Sequence, residues 1–189
     1  NANGGKPWYL WEKSLAMHEP DAIATAKKLY QDDIAFYCVM QYWFHKQWYK
    51  LKHYCNKRGI TIVGDIPIYV AYDSVEVWSQ PELFQLDDDH VPTAVAGCPP
   101  DVFSPSGQLW GNPLYNWNYH KETNYAWWVQ RLARAATLYD TVRIDHFRGF
   151  DTYWAIPADS TTAKTGKWET GPRMELFNAL EGALGKLPI

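Results

Sequence analysis

Two apolar, β-branched runs set most of what this chain can become: ITIVGDIPIYV at 60–70 and TVRIDHF at 141–147. Each follows directly on a stretch of helical periodicity. Ahead of the first, Ile34, Tyr37, Cys38, Gln41, Phe44, Trp48, Leu51 and Cys55 recur at spacings of three and four, with Asp32 or Asp33 placed to cap and Gly59 to close. The run that follows is apolar nearly throughout, as a strand covered on both faces requires. Ahead of the second, a helix from about Thr123 gathers Trp127, Trp128, Leu132, Ala135, Ala136 and Tyr139 along one broad side. A third helix is expected from Pro172, which a first turn tolerates, through the stripe Leu176, Phe177, Leu180 and Leu184 to Gly185. Leu187-Pro188-Ile189 then reads as the opening of another strand. Two strands and the start of a third, each preceded by a helix, predict an α/β chain of parallel β/α architecture. In a barrel of that kind the chemistry sits at the carboxyl ends of the strands, where Asp65 and Asp145 fall.

The expected organisation is a helical segment over 1–58, including short helices within 8–30, then a partial barrel over 59–189. Two long excursions, about 71–120 and 150–171, interrupt that barrel. The first holds Pro81, Pro92, Pro99, Pro100, Pro105 and Pro113 and shows no sustained period. Excursions of this length are either functional or disordered, and the Trp and Phe content argues against disorder. The chain starts at Asn1 without an initiator Met and stops where an apolar segment is just beginning, so it reads as a piece of something larger.

Composition narrows the partners. A net charge of -3 and a pI near 6.1 leave no basic excess for nucleic acid or an anionic membrane. The longest apolar stretch, Ile34 to Phe44, is broken by Gln41 and falls short of the ~20 residues a membrane span needs. No signal peptide opens the chain. Cys38, Cys55 and Cys98 are odd in number and widely spaced, which suits reduced thiols in a cytoplasm, and neither a metal cage nor a cofactor is implied. The absence of a Gly-rich phosphate loop after either strand argues against phosphate handling. Against this ordinary background, 11 Trp and 13 Tyr stand out. Such side chains join a flat apolar face to a polar edge, which is compatible with binding sugar rings, although most aromatics are simply core.

On a strand, residues two apart share a face, so Arg143 and Asp145 point together while Val142 and Ile144 take the other side. An arginine beside a carboxylate favours its ionised form, able to attack an electrophilic carbon or stabilise positive charge. A structural ion pair at a strand end accounts for the same residues. His146, next along, either donates to a ligand hydroxyl or caps the loop.

Three segments, GDIPIYVAYDSVEVWSQPELFQLD from Gly64, AGCPPDVFSPSGQLWGNPLYNW from Ala96 and VRIDHFRGF from Val142, resemble the signature segments of the 4-α-glucanotransferases of glycoside hydrolase family 77. The resemblance runs from about residue 34 to 189. It implies a (β/α)8 TIM barrel related to the α-amylase group, with inserted helical and irregular subdomains. It also implies transfer of 1,4-α-glucan segments to the 4-hydroxyl of glucose or another glucan, by double displacement with retention. Maltooligosaccharide or α-glucan would be donor and acceptor, with no cofactor. Asp145 matches the family's nucleophile, Arg143 the arginine that orients it, His146 a sugar-contacting neighbour and Asp65 a carboxylate that bonds donor-side hydroxyls. Pro99 to Asn112 looks like a substrate-covering loop in which Asp101, Gln108 and Asn112 could bond hydroxyls and Trp110 offers a stacking face.

Retaining chemistry also needs an acid/base carboxyl about 5 to 5.5 Å from the nucleophile. The resemblance puts that glutamate beyond Ile189 and a third carboxylate later still, while Glu169, Glu175 and Glu181 are assigned to solvated surface. The chain alone is therefore expected to be inactive, and its uncovered strand edges are expected to promote self-association. The competing classes are a non-catalytic carbohydrate-binding domain and a retaining α-glucan hydrolase.

Overall fold

In the computed structural model, which describes residues 3–186 and 189, two small sheets share one main core. The chain opens with a 3-10 turn at Trp8–Leu10 and two helices, α1 (Lys13–Ala16) and α2 (Pro20–Leu29). Helix α3 (Gln31–Asn56) leads to β1 (Val63–Pro67), and α4 (Val75–Ser79) follows. Then come β2 (Ala94–Cys98), β3 (Gln108–Pro113), α5 (Trp117–Glu122), α6 (Ala126–Leu138) and β4 (Thr141–Asp145). The chain continues through β5 (Thr152–Pro157), β6 (Lys167–Thr170) and α7 (Met174–Leu184). The expected opening of a further strand at 187–189 lies largely outside the described residues.

Strands β1 and β4 pair in parallel, with Asp65 opposite Arg143 and Pro67 opposite Asp145. Such a pair requires a crossover connection, and α6 supplies its last leg. Three groups lock the entry to both strands. Asp140 accepts from the Ile62 amide at 2.7 Å and from Asn56 Nδ2 at 2.8 Å, and its carboxyl is held below the usual range chiefly by the Ile62 bond. Lys52 Nζ donates to the Tyr139 carbonyl at 2.9 Å. The Tyr139 ring lies so close to Gly64 that a Cβ there would sit 2.0 Å from it, so no other residue fits at 64.

The strand 60–70 is shorter than its apolar run and is not covered on both faces. Val63, Asp65 and Pro67 are exposed, because among the described residues β4 is the sole partner of β1. Helix α3 departs from expectation for the same reason. Its covered stripe is His45, Trp48, Lys52 and Cys55, laid against α6, with Trp48 Nε1 donating to the Leu138 carbonyl at 2.9 Å. Ile34, Tyr37, Phe44 and Leu51, expected to face a core, are exposed. A helix apolar around most of its girth is built to be surrounded. Asp32 and Asp33 lie inside its first turn, not at the cap, which is Tyr30.

The helix expected from Thr123 is two helices. Asn124 and Tyr125 take positive φ, and α6 restarts at Ala126. Likewise α7 begins at Met174 with Arg173 as its cap, so Pro172 stands outside the first turn. The two excursions carry order that periodicity did not disclose: an antiparallel sheet in the order β3-β2-β5-β6. Strands this short, with Gly97 and Pro113 inside them, give too few residues for alternation to show.

Trp128, Leu132, Tyr115, Leu114, Phe150, Ile68, Val77 and Leu176 are all fully buried at the centre of the main core. His120 is buried among them, its Nε2 3.2 Å from the Leu83 carbonyl and its ring edge-on to Tyr115. Burial pushes the His120 pKa from 6.5 down to about 4. A folded value below the unfolded one means that the neutral ring's contribution is complete above about pH 6.5 and is lost as pH falls toward 4, about 3 kcal/mol in all. Denaturant unfolding at pH 7 and pH 4.5 should show that loss, and His120→Gln should flatten the dependence; an equally steep dependence in the variant would reject His120 as its source.

Candidate active site

The carboxyl ends of β1 and β4 bring three charged side chains into contact. Because Asp65 is registered against Arg143, and Arg143 shares a face with Asp145, one guanidinium reaches both acids. Nη2 donates to Asp145 Oδ1 at 2.6 Å, and Nη1 pairs with Asp65 Oδ2. The predicted pairing of Arg143 with Asp145 is present, and the structure adds Asp65 to it. The Asp145 side chain keeps 59% of its accessible surface, so a ligand can reach it. Val142 and Ile144, on the opposite face, are buried at 3% and 7% and fix the strand's orientation.

Behind these acids the strand-end backbone is tied down. Arg131, on α6, donates to the Pro67 carbonyl at 2.7 Å and the Ile68 carbonyl at 3.1 Å. Tyr115 Oη donates to the Ile68 carbonyl as well, at 2.6 Å. Arg131 was not singled out from sequence; WWVQRLARAA carries two arginines, Arg131 and Arg134, and nothing local separates them. Tyr69 was also missed. Burial and neighbouring tyrosines hold its hydroxyl well above the usual phenol range, and its ring lies 6.3 Å from that of His146.

His146 sits in the left-handed region, φ 54, which turns its ring out of the strand direction and toward Trp110. The two rings meet edge to face at 4.8 Å and 89°, and Trp110 lies 6.4 Å from Tyr69. Partial burial lowers the His146 pKa, with Asp145 pulling it part of the way back. The neutral ring then carries one donor and one acceptor nitrogen. Trp110, half-exposed, offers an aromatic face beside the acids.

The remaining predicted residues serve the loop between β2 and β3. Asp101 Oδ1 accepts from the amides of Phe103 at 2.9 Å and Ser104 at 2.7 Å, closing a turn. Gln108 Oε1 accepts from Trp110 Nε1 at 2.9 Å, and Asn112 Nδ2 donates to the Val70 carbonyl at 2.9 Å. Their structural partners are thus in place. Glu169 pairs with Lys167 and Glu175 with Lys121. An apolar cleft of about 690 Å³ runs along the open side of β4 against α7, lined by Ile144, Phe147, Phe177 and Leu180. Arg143 borders it, whereas Asp65 and Asp145 do not. Among the described residues no group of three or more His, Cys, Asp or Glu could hold a metal ion.

An exposed acid oriented by an arginine, with an aromatic wall and a stiff loop beside it, suits attack on a polarised carbon of a hydroxylated ring. A 4-alpha-glucanotransferase from Clostridium butyricum is 46% identical over 96% of this chain, and one from Thermus thermophilus is 45% identical over 100% of it. The chain spans 38% of the length of each. The solved amylomaltase from Streptococcus agalactiae in complex with acarbose superposes with a TM-score of 0.96 at 49% identity, over 100% of this chain and 38% of that one. An amylomaltase from Corynebacterium glutamicum, 20% identical with a TM-score of 0.69 over 81% of this chain and 21% of that one, shares the fold. With the glycoside hydrolase family 77 model for 4-alpha-glucanotransferase matching residues 1–189, the chain belongs to that family.

Proposed function

We propose that this chain supplies the nucleophile half of a 4-α-glucanotransferase, moving 1,4-α-glucan segments to the 4-hydroxyl of glucose or another glucan by retaining double displacement. The observation that carries this is the single guanidinium of Arg143 held between Asp65 and Asp145 at an open strand end. Asp145 attacks the anomeric carbon, forming a glycosyl ester as the leaving glucan departs. Arg143 fixes the attacking oxygen's direction, which matters because a misplacement of about 1 Å can cost about 10²-fold in rate. Asp65 accepts from donor-side hydroxyls, and the neutral ring of His146 bonds another. Trp110 stacks on a sugar face, while Asp101 shapes the loop ahead of β3, and Gln108 and Asn112 on β3 offer their free polar atoms to hydroxyls with it.

The fold of the whole protein is a (β/α)8 barrel in this reading. Support comes from the parallel β1–β4 pair and the apolar cleft beside β4, whose lining by Ile144, Phe147, Phe177 and Leu180 suits a further packed element. Residues 1–58 lead into that barrel and 59–189 form part of it. No described helix is long and apolar enough to cross a membrane, and we place the enzyme in the cytoplasm, acting on maltooligosaccharides without a cofactor.

Within the full-length enzyme, Asp145→Asn should reduce maltotriose turnover by ~10³-fold or more while leaving maltodextrin affinity within about threefold. Preserved turnover would reduce the Arg143–Asp145 pair to a structural ion pair. Product analysis separates transfer from hydrolysis, since transfer conserves the number of reducing ends and hydrolysis adds to it. In this reading the acid/base carboxyl comes from the rest of the enzyme, so the 189-residue chain by itself should release no glucose from maltotriose; glucose with longer maltodextrins would refute that. With Phe36, Tyr37, Trp43, Phe44 and Tyr54 exposed on α3 and both outer edges of the β1–β4 pair open, the isolated chain should scatter light as dimers or larger species. A clean monomer at micromolar concentration would count against it.

A further inference from the structure

The loop between β2 and β3 is bare at its tip and heavily held at its root. Val102 and Phe103 are 91% and 93% exposed. Below them, Ser104 Oγ donates to the Gly107 carbonyl at 2.7 Å and the Gly107 amide donates to the Ser104 carbonyl at 2.9 Å, so the loop is closed on itself. What fixes this unit relative to the rest is a second, separate core of Val95, Ile156 and Ala163, with Trp154 packed against it.

That core joins the loop to the turn between β5 and β6. β2 pairs with β5, setting Val95 opposite Ile156 and Gly97 opposite Trp154. Trp154 Nε1 donates to the Ala163 carbonyl at 2.8 Å, and Gly166 lies flat against the indole, where a Cβ would come 2.2 Å from Nε1. Ala163 in turn abuts the loop root. Gly107 has φ +70, and a Cβ there would sit 2.8 Å from the Ala163 Cβ and 2.4 Å from the Cys98 carbonyl oxygen. Thr162 Oγ1 adds a 3.4 Å bond to the Ser106 carbonyl. One residue past Gly107 begins β3, which carries Trp110 to its edge-on contact with His146.

We propose that the turn at 158–166, pinned by Trp154, is a brace for the 99–107 loop, and that Trp154 and Ala163 are positioning residues that set how the glycosyl group on Asp145 divides between a sugar acceptor and water. The inference rests on the glucanotransferase function above. In that step the ester bond between Asp145 and the anomeric carbon breaks and its electron pair returns to the carboxylate. A new bond forms from the carbon to the acceptor oxygen, and that oxygen's proton passes to a carboxylate base from the remainder of the enzyme. Sugar and water differ only in which hydroxyl attacks, so the partition depends on how well the loop excludes water and holds the sugar. A loop held through a separate small core can loosen without the main core losing any contact.

The test uses the full-length enzyme with Trp154→Phe, which keeps an aromatic ring but deletes the donor to Ala163, and Ala163→Gly, which removes only the methyl facing the loop. Two readouts are taken: the rate of chymotrypsin nicking after Phe103, and the ratio of new reducing ends to transferred glucosyl units with maltotriose. Both variants should be nicked about fivefold faster or more and raise the hydrolysis ratio about threefold or more, with the melting temperature of at least one within a few degrees of the parent. Unchanged nicking would overturn the brace, and faster nicking with an unchanged ratio would overturn its role in partition. A parent enzyme that releases reducing ends without any transfer would sink the functional reading, and the nicking rates would then judge the brace alone.

Discussion

The register of β1 against β4 is the constraint from which the site follows. Parallel pairing sets Asp65 opposite Arg143, and the two-residue repeat of a strand sets Asp145 on the same face. One guanidinium then meets two carboxylates without any loop having to be placed. A slip of one residue would send Arg143 and Asp145 to the side now filled by Val142 and Ile144, which the core does not tolerate. The lock at the opposite end, where Asp140 holds Ile62 and Asn56 and where Gly64 admits the Tyr139 ring, keeps that slip from occurring.

Around this centre the protein adds a second layer. The antiparallel sheet contributes Trp110 from one strand and, through the Trp154 core, a hold on the loop beside it. The proposed catalytic direction and the proposed substrate enclosure thus rest on different structures. The acids depend on a short parallel pair backed by the main core. The proposed enclosure rests on a satellite core of Val95, Ile156 and Ala163.

Much of this was legible before any coordinates. The αβ steps, the shared face of Arg143 and Asp145, and the placement of both acids at strand ends all follow from local periodicity, and the signature segments gave the family. What was illegible has a common cause. The antiparallel sheet is built from strands of four to six residues interrupted by Gly97 and Pro113, too short to impose a period. The split between α5 and α6 comes from positive φ at Asn124, a residue type that tolerates it, and at Tyr125, which does not announce it. Arg131 and Tyr69 matter through partners more than 40 residues away, or through rings on other elements.

By itself, then, the sequence determined which residues carry charge on the same side of a strand and which helices precede which strands, because those relations span only a few residues. The tertiary structure decided that Asp65 belongs to the same ion pair, that His146 turns toward Trp110, and that the excursions fold into a sheet. It also decided that the apolar residues of α3 stay uncovered here, since burial is a property of what lies alongside, and among the described residues α6 covers only one stripe of that helix. Contacts across 78 residues, such as Asp65 with Arg143, are set by strand pairing in space and leave no trace in local pattern.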